Sequence, residues 1–199
     1  MPFREAIRQR IEQEAVPAEK FGHQPRLYAL TLAVGMGQTY DDDVVFAAAW
    51  LHDLGVFTGH RPEDPELLAR WDHVAYAIDV APGILRQAGF PEHKIVAVIE
   101  AIRTHQPADS PISVEGAILR DADTLEQLGA IGILRTVCKV GRDTRYPTFT
   151  HAVEYLQRIL MELPGQIEFE TTRTLAQSKI EALESFLKAV EAEAKPALY

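Results

Sequence analysis

Cysteine is almost missing: Cys138 is the only one in 199 residues. A single thiol excludes an intrachain disulfide and a cysteine-rich metal cluster, and it fits a reducing interior. Long apolar runs are missing too, with nothing near the roughly 20 residues a membrane-spanning helix needs. The N-terminus, Met1-Pro2-Phe3-Arg4-Glu5, leads into charged amphipathic sequence instead of a basic stretch followed by an apolar one. No secretory signal is expected on that pattern, and the expected location is cytoplasmic. Positive charge is also scarce. Lys and Arg number 20 against 29 Asp and Glu, for a formal net charge of −9, whereas a duplex binder neutralises phosphates with Lys and Arg. General nucleic-acid binding is therefore not expected, while a local basic pocket for one small phosphorylated ligand is compatible with this balance.

Strand-like alternation is nearly absent as well, and helical periodicity takes its place. The spacing predicts helices over 3–16 and from about Pro25 to Met36, with Pro25 in a first turn. A third helix is expected from the Asp41-Asp42-Asp43 cap to about Leu54, ended by Gly55, with a loop over 56–65. Further helices are expected from an Asp72 cap to Ala88, from Pro91 to His105, from Ser113 to Leu128, and over 133–140. A polar loop at 141–147 precedes helices at 148–162 and about 166–193. With no repeats or linkers, the expectation is an all-α, compact single-domain bundle over 1–199, its core about 20–135 and its C-terminal helices at 148–193. The long acidic last helix is open to packing on the domain or to pairing with a second copy as a homodimer.

Five consecutive helices each carry a His or Asp on an apolar stripe. His23 leads Leu27, Leu30 and Val34; His52 follows Val45, Ala48 and Ala49; His73 precedes Ala77, Val80, Ala81 and Ile84. His105 follows Ile95, Val98, Ile99 and Ile102, and Asp121 lies on the line of Ala117, Ile118, Leu125 and Leu128. These are the i, i+3, i+4, i+7 spacings of one buried face. A single histidine on such a stripe is most often a hydrogen-bonded core residue, but an ionised carboxylate facing a core costs several kcal/mol unless paired or metal-bound. One polar centre inside the bundle explains all five. Imidazole and carboxylate donors suit Mn, Fe, Co, Ni or Zn, and Mg where water fills open positions. The lack of sulfur argues against a closed structural zinc site. Adjacent helical residues point about 100° apart, so His52 and Asp53 converge on one ion only near a helix end, as the nearby Gly55 suggests.

The segments HQPRLYALTLA (His23–Ala33), AAAWLHDLG (Ala47–Gly55), VIEAIRTHQ (Val98–Gln106) and ILRDADTLEQLGAIGILR (Ile118–Arg135) resemble the HD-domain superfamily of metal-dependent phosphohydrolases, specifically a branch of small bacterial HD hydrolases. The resemblance implies four metal ligands, His23, His52, Asp53 and Asp121, with Asp53 also orienting the attacking water. It implies hydrolysis of a small phosphate ester, such as a nucleotide, by metal-activated water. Some HD phosphodiesterases, and the di-iron oxygenases related to inositol oxygenase, use six ligands in the order His, His-Asp, His, His, Asp. His23, His52-Asp53, His73, His105 and Asp121 reproduce that order, so one or two ions per chain, and manganese or iron among them, stay open. A di-iron oxygenase and a non-catalytic metal-dependent regulator are the alternatives. The acidic pair that follows His-Asp in some nucleotide-hydrolysing relatives is replaced by Leu54-Gly55-Val56-Phe57, so their general acid has no counterpart. Among the basic residues near these motifs (Arg103, Arg120, Lys139, Arg142 and Arg145 included), Arg26 and Arg135 are the preferred phosphate binders because they lie inside matching segments. His60, His93 and His151 are expected at the surface.

Overall fold

The centre of the first part of the chain is a helix that is apolar all round. Val44 to Leu51, Val-Val-Phe-Ala-Ala-Ala-Trp-Leu, are all buried, and a helix without a polar face has to be surrounded. The computed structural model of the chain describes residues 2–142, 145–194 and 198. Part of the expected 141–147 loop, residues 143 and 144, lies outside the described residues. The chain divides into two compact units, Met1–Ala122 and Asp123–Tyr199.

Within the first unit the helices are α1 (Pro2–Glu14), α2 (His23–Val34), α3 (Asp42–Leu51), α4 (Pro65–Ala69), α5 (His73–Gln87), α6 (Ile95–Arg103) and most of α7 (Val114–Gln127). The apolar α3 packs against α1, α2, α5 and α6. In the second unit α8 (Gly129–Val137), α9 (Phe149–Glu162) and α10 (Glu170–Glu193) pack on one another. Among the described residues the only extended pairing is one isolated bridge, Thr58 to Arg61, so the fold is all-α as expected. No described helix is long and apolar enough to cross a membrane.

Local chemistry starts these helices where the sequence suggested. The Asp41 carboxylate accepts from the Asp43 and Val44 amides at 3.0 and 3.4 Å, and Asp72 accepts from Val74 and Ala75 at 3.0 and 2.9 Å. Each cap satisfies amides that a helix start leaves unpaired. The ends differ more. α2 begins at His23, not Pro25, and α3 stops at Leu51, three residues before the expected Leu54. α6 begins at Ile95 after a 3-10 turn and ends at Arg103, so His105 lies beyond it. α8 starts at Gly129 instead of 133, and the short α4, capped by Asp64, occupies a stretch with no expected element. Gly132 explains the early α8: a Cβ there would lie 1.9 Å from the Gln127 carbonyl oxygen. Only glycine permits that approach to the end of α7.

Candidate metal centre

The early end of α3 decides the geometry. His52 is the C-cap of the helix, with φ −57° and ψ −33°. Asp53 then turns to φ −100°, ψ 15°, so the two side chains leave a turn instead of a helix face and meet the same point. His23, at the first turn of α2, completes the group. Its Nε2 lies 3.4 Å from His52 Nε2 and 3.6 Å from Asp53 Oδ2, and His52 Nε2 lies 3.6 Å from Asp53 Oδ1. Four donors arranged tetrahedrally around an ion at bonds of ~2.1 Å would be about 3.4 Å apart. The spacing of the two imidazole nitrogens fits that arrangement; each ring faces a different Asp53 oxygen, and one donor atom from each of the three residues lies within 4.8 Å of the others.

Hydrogen bonding prepares the imidazoles for it. His52 Nδ1 lies 3.0 Å from the Ala49 carbonyl oxygen, and His105 Nδ1 lies 2.6 Å from that of Ile102. A carbonyl only accepts, so both Nδ1 atoms carry the proton, which leaves Nε2 of the neutral ring with a lone pair. The His52 lone pair thus confronts a carboxylate oxygen and a second imidazole nitrogen, an arrangement that calls for a cation between them. Burial by itself would raise the Asp53 pKa; positive charge on the surrounding His52, His23, His73 and His105 overturns this and holds it well below the usual carboxylate range. When those rings are neutral, a bound cation would supply the charge in their place.

The other expected site residues are placed less uniformly. His73 Nε2 is 3.8 Å from Asp53 Oδ1, and at 31% its side chain is the most open of the group. The His105 ring centroid is 4.9 Å from that of His52, edge to face. Asp121 is fully buried on its stripe with Ala117, Ile118 and Leu125, and its Oδ1 lies 3.9 Å from Arg120 Nη2. It does not join His23, His52 and Asp53 in the group whose donor atoms are mutually within 4.8 Å. Arg26 is exposed, its Nη1 lying 2.9 Å from where a Cβ on Gly22 would sit. Arg135, in the second unit, donates to buried Glu126 at 3.1 Å. Arg120 is buried and donates to the Asp109 carbonyl at 2.9 Å, which ties it to the chain instead of a ligand. His60, expected at the surface, is half-buried. Its Nδ1 lies 2.8 Å from the Tyr76 hydroxyl and its Nε2 3.4 Å from Glu14 Oε2.

Two features at this centre escape helical periodicity. Gly55 ends no helix; a Cβ on it would lie 2.7 Å from the Cα and carbonyl oxygen of His73. The Trp71 indole N–H donates to the Gly55 carbonyl at 2.8 Å. The Trp-Asp-His triplet at 71–73 carries the cap signal in Asp72, but nothing local indicates that its neighbours reach the turn after Asp53.

Histidines and an aspartate meeting where one buried helix ends define a class of all-helical proteins with a metal-competent centre. The chain belongs to the HD domain family, whose model matches residues 25–128. That span contains His52, Asp53, His73, His105 and Asp121, and His23 lies two residues before it. Among solved structures the chain is similar to YpgQ of Bacillus subtilis in complex with ADP, with a TM-score of 0.71, 22% identity, and 98% of this chain and 96% of that one covered. It is similar to a predicted HD superfamily hydrolase from an uncultured Thermotogales bacterium, with a TM-score of 0.62, 24% identity and coverage of 96% and 90%. An HD-superfamily hydrolase of Bacillus thuringiensis gives a TM-score of 0.69 at 18% identity, covering 98% and 97%. These likenesses are of fold. No curated protein matches the chain.

Proposed function

We propose that the protein is a metal-dependent phosphohydrolase acting on a small phosphate ester, with a nucleotide as the first substrate class to test. The observation that carries this reading is the cluster of His23, His52 and Asp53, each offering a donor atom within 4.8 Å of the others. These three residues hold the ion, and Asp121 belongs to the proposed set as a fully buried carboxylate on α7. A divalent ion bound there lowers the pKa of a bound water and polarises a phosphoryl oxygen. Asp53 would also orient the attacking water; its partly exposed carboxylate, 3.8 Å from His73, supports that role. The exposed Arg26 is the phosphate-binding cation of this reading, and Arg135 pairs with Glu126 within the second unit. The ADP complex of YpgQ supports a nucleotide.

The test is metal analysis of the purified protein together with phosphate release from nucleotides and simpler esters in added Mn²⁺. Turnover is expected with wild type and falls by about 10²–10³-fold in Asp53→Ala, the scale on which a lost transition-state contact acts. A second reading, a di-iron oxygenase, is favoured by one feature: His73 and His105 crowd the same carboxylate and imidazole. Two irons per chain with oxygen consumption and no phosphate release would establish that reading against the first. A chain that binds no ion would overturn both.

A further inference from the structure

Asp53 and His73 belong to different elements, and their 3.8 Å separation has to be set by something other than the helix that carries either one. We infer that Trp71 is a positioning residue of the metal centre, acting through Gly55 to hold His73 against Asp53. This rests on the reading of that centre as a metal site.

Two contacts on opposite sides of Asp72 make the case. On one side, the Trp71 indole N–H donates to the Gly55 carbonyl at 2.8 Å. Gly55 is buried and Trp71 half-buried, so this donor satisfies a carbonyl that has little access to water. On the other side, the backbone of His73 lies so close to Gly55 that a Cβ would be 2.7 Å from it. Between them, Asp72 caps α5 through the Val74 and Ala75 amides and fixes where the helix starts. The triplet therefore grips the turn two residues after Asp53 at two points. The Trp71 ring is itself held, 5.3 Å from Tyr76, and the Tyr76 hydroxyl meets His60 Nδ1 at 2.8 Å. An indole so fixed sets the distance between turn and helix, and with it the distance from Asp53 to His73.

The variant Trp71→Phe keeps an aromatic ring beside Tyr76 and removes the N–H. Mn²⁺ affinity, read by the loss of the free-ion spin-resonance signal, is expected to fall about tenfold, the scale of an outer-sphere partner. A positioning role also predicts non-additivity: in a His73→Ala background Trp71→Phe has no further effect. Gly55→Ala probes the same junction by steric displacement, should Trp71→Phe prove too unstable to purify, and is expected to weaken Mn²⁺ binding in the same direction. Wild-type affinity in both variants, or an equal loss with and without His73, would overturn the inference while leaving the metal centre standing. A wild type that binds no Mn²⁺ would remove the centre and the inference with it.

Discussion

At its N-terminal end α3 carries Asp41, Asp42 and Asp43; just past its C-terminal end stands Asp53. The first three are met by cations and donors of the chain itself. Arg4 reaches Asp42 at 2.8 Å and Asp43 at 2.6 Å, Lys94 reaches Asp41 at 2.7 Å and Asp43 at 3.1 Å, and the Tyr28 hydroxyl donates to Asp42 at 3.0 Å. The helix dipole favours acids there as well. A cavity of about 610 Å³ lies over these residues, yet its carboxylates already have their counter-charges. Asp53 is met by imidazoles, and two of those nearby, His52 and His105, give their Nδ1 protons to carbonyls. An acidic cluster neutralised from within is a structural joint. A carboxylate facing imidazole lone pairs is a place for an external cation.

The comparison breaks most sharply on metal binding. His52→Ala is expected to weaken Mn²⁺ binding by at least about 100-fold, beyond what losing even an outer-sphere partner costs, whereas Asp42→Asn leaves it unchanged. Titration of the free-ion signal in both variants decides it. Equal losses would mean that the acidic end holds the ion.

Stability should divide in the same way. Mn²⁺ at about 100 times its Kd adds about 2.7 kcal/mol, or about 5–10 °C in Tm for a chain of this size. A chelator reverses the shift, and His52→Ala shows none of it in a thermal melt. Arg4→Ala acts at the other end and without regard to metal. Arg4 also covers the Phe46 ring at 4.8 Å, and its partly open ion pairs suggest a loss of about 1–2 kcal/mol in urea unfolding. Mn²⁺ affinity is expected to survive that substitution.

How much of this was legible depends on range. The caps at Asp41 and Asp72, the inward stripes, and the His-Asp convergence near a helix end follow from spacings of one to seven residues. The caps and the convergence stand in the structure. The stripes stand except that Leu30, Val80 and Ile99 are half-buried and His105 falls past the end of its helix. What the pattern could not show arises between elements. Gly55 reads as a helix stop, but its necessity comes from His73, 18 residues on. His60 reads as a loop histidine, yet Glu14 and Tyr76 enclose it. Asp121 sits on a correct apolar line and is fully buried, but a stripe gives direction without reach, and it falls outside the tight cluster of three. α4 is five residues long, too short to register as periodicity.

The smallest expected effect concerns acid. Asp43 lies below its ordinary pKa chiefly through the hydrogen bond from Arg4; burial opposes this, and Lys94 adds to the lowering. A group depressed in the folded state contributes stability that is complete above its unfolded pKa, near 3.9, and that disappears as pH falls through the folded value. Asp43→Asn should therefore cost about 0.5–1 kcal/mol at neutral pH, the range for a partly exposed pair. That gap should close as the pH is lowered below about 4. Urea midpoints for both proteins between pH 6 and pH 3 would show it. A gap that stayed constant across this range would mean that Asp43 contributes through packing and not through its charge, and the N-terminal end of α3 would then be no electrostatic joint.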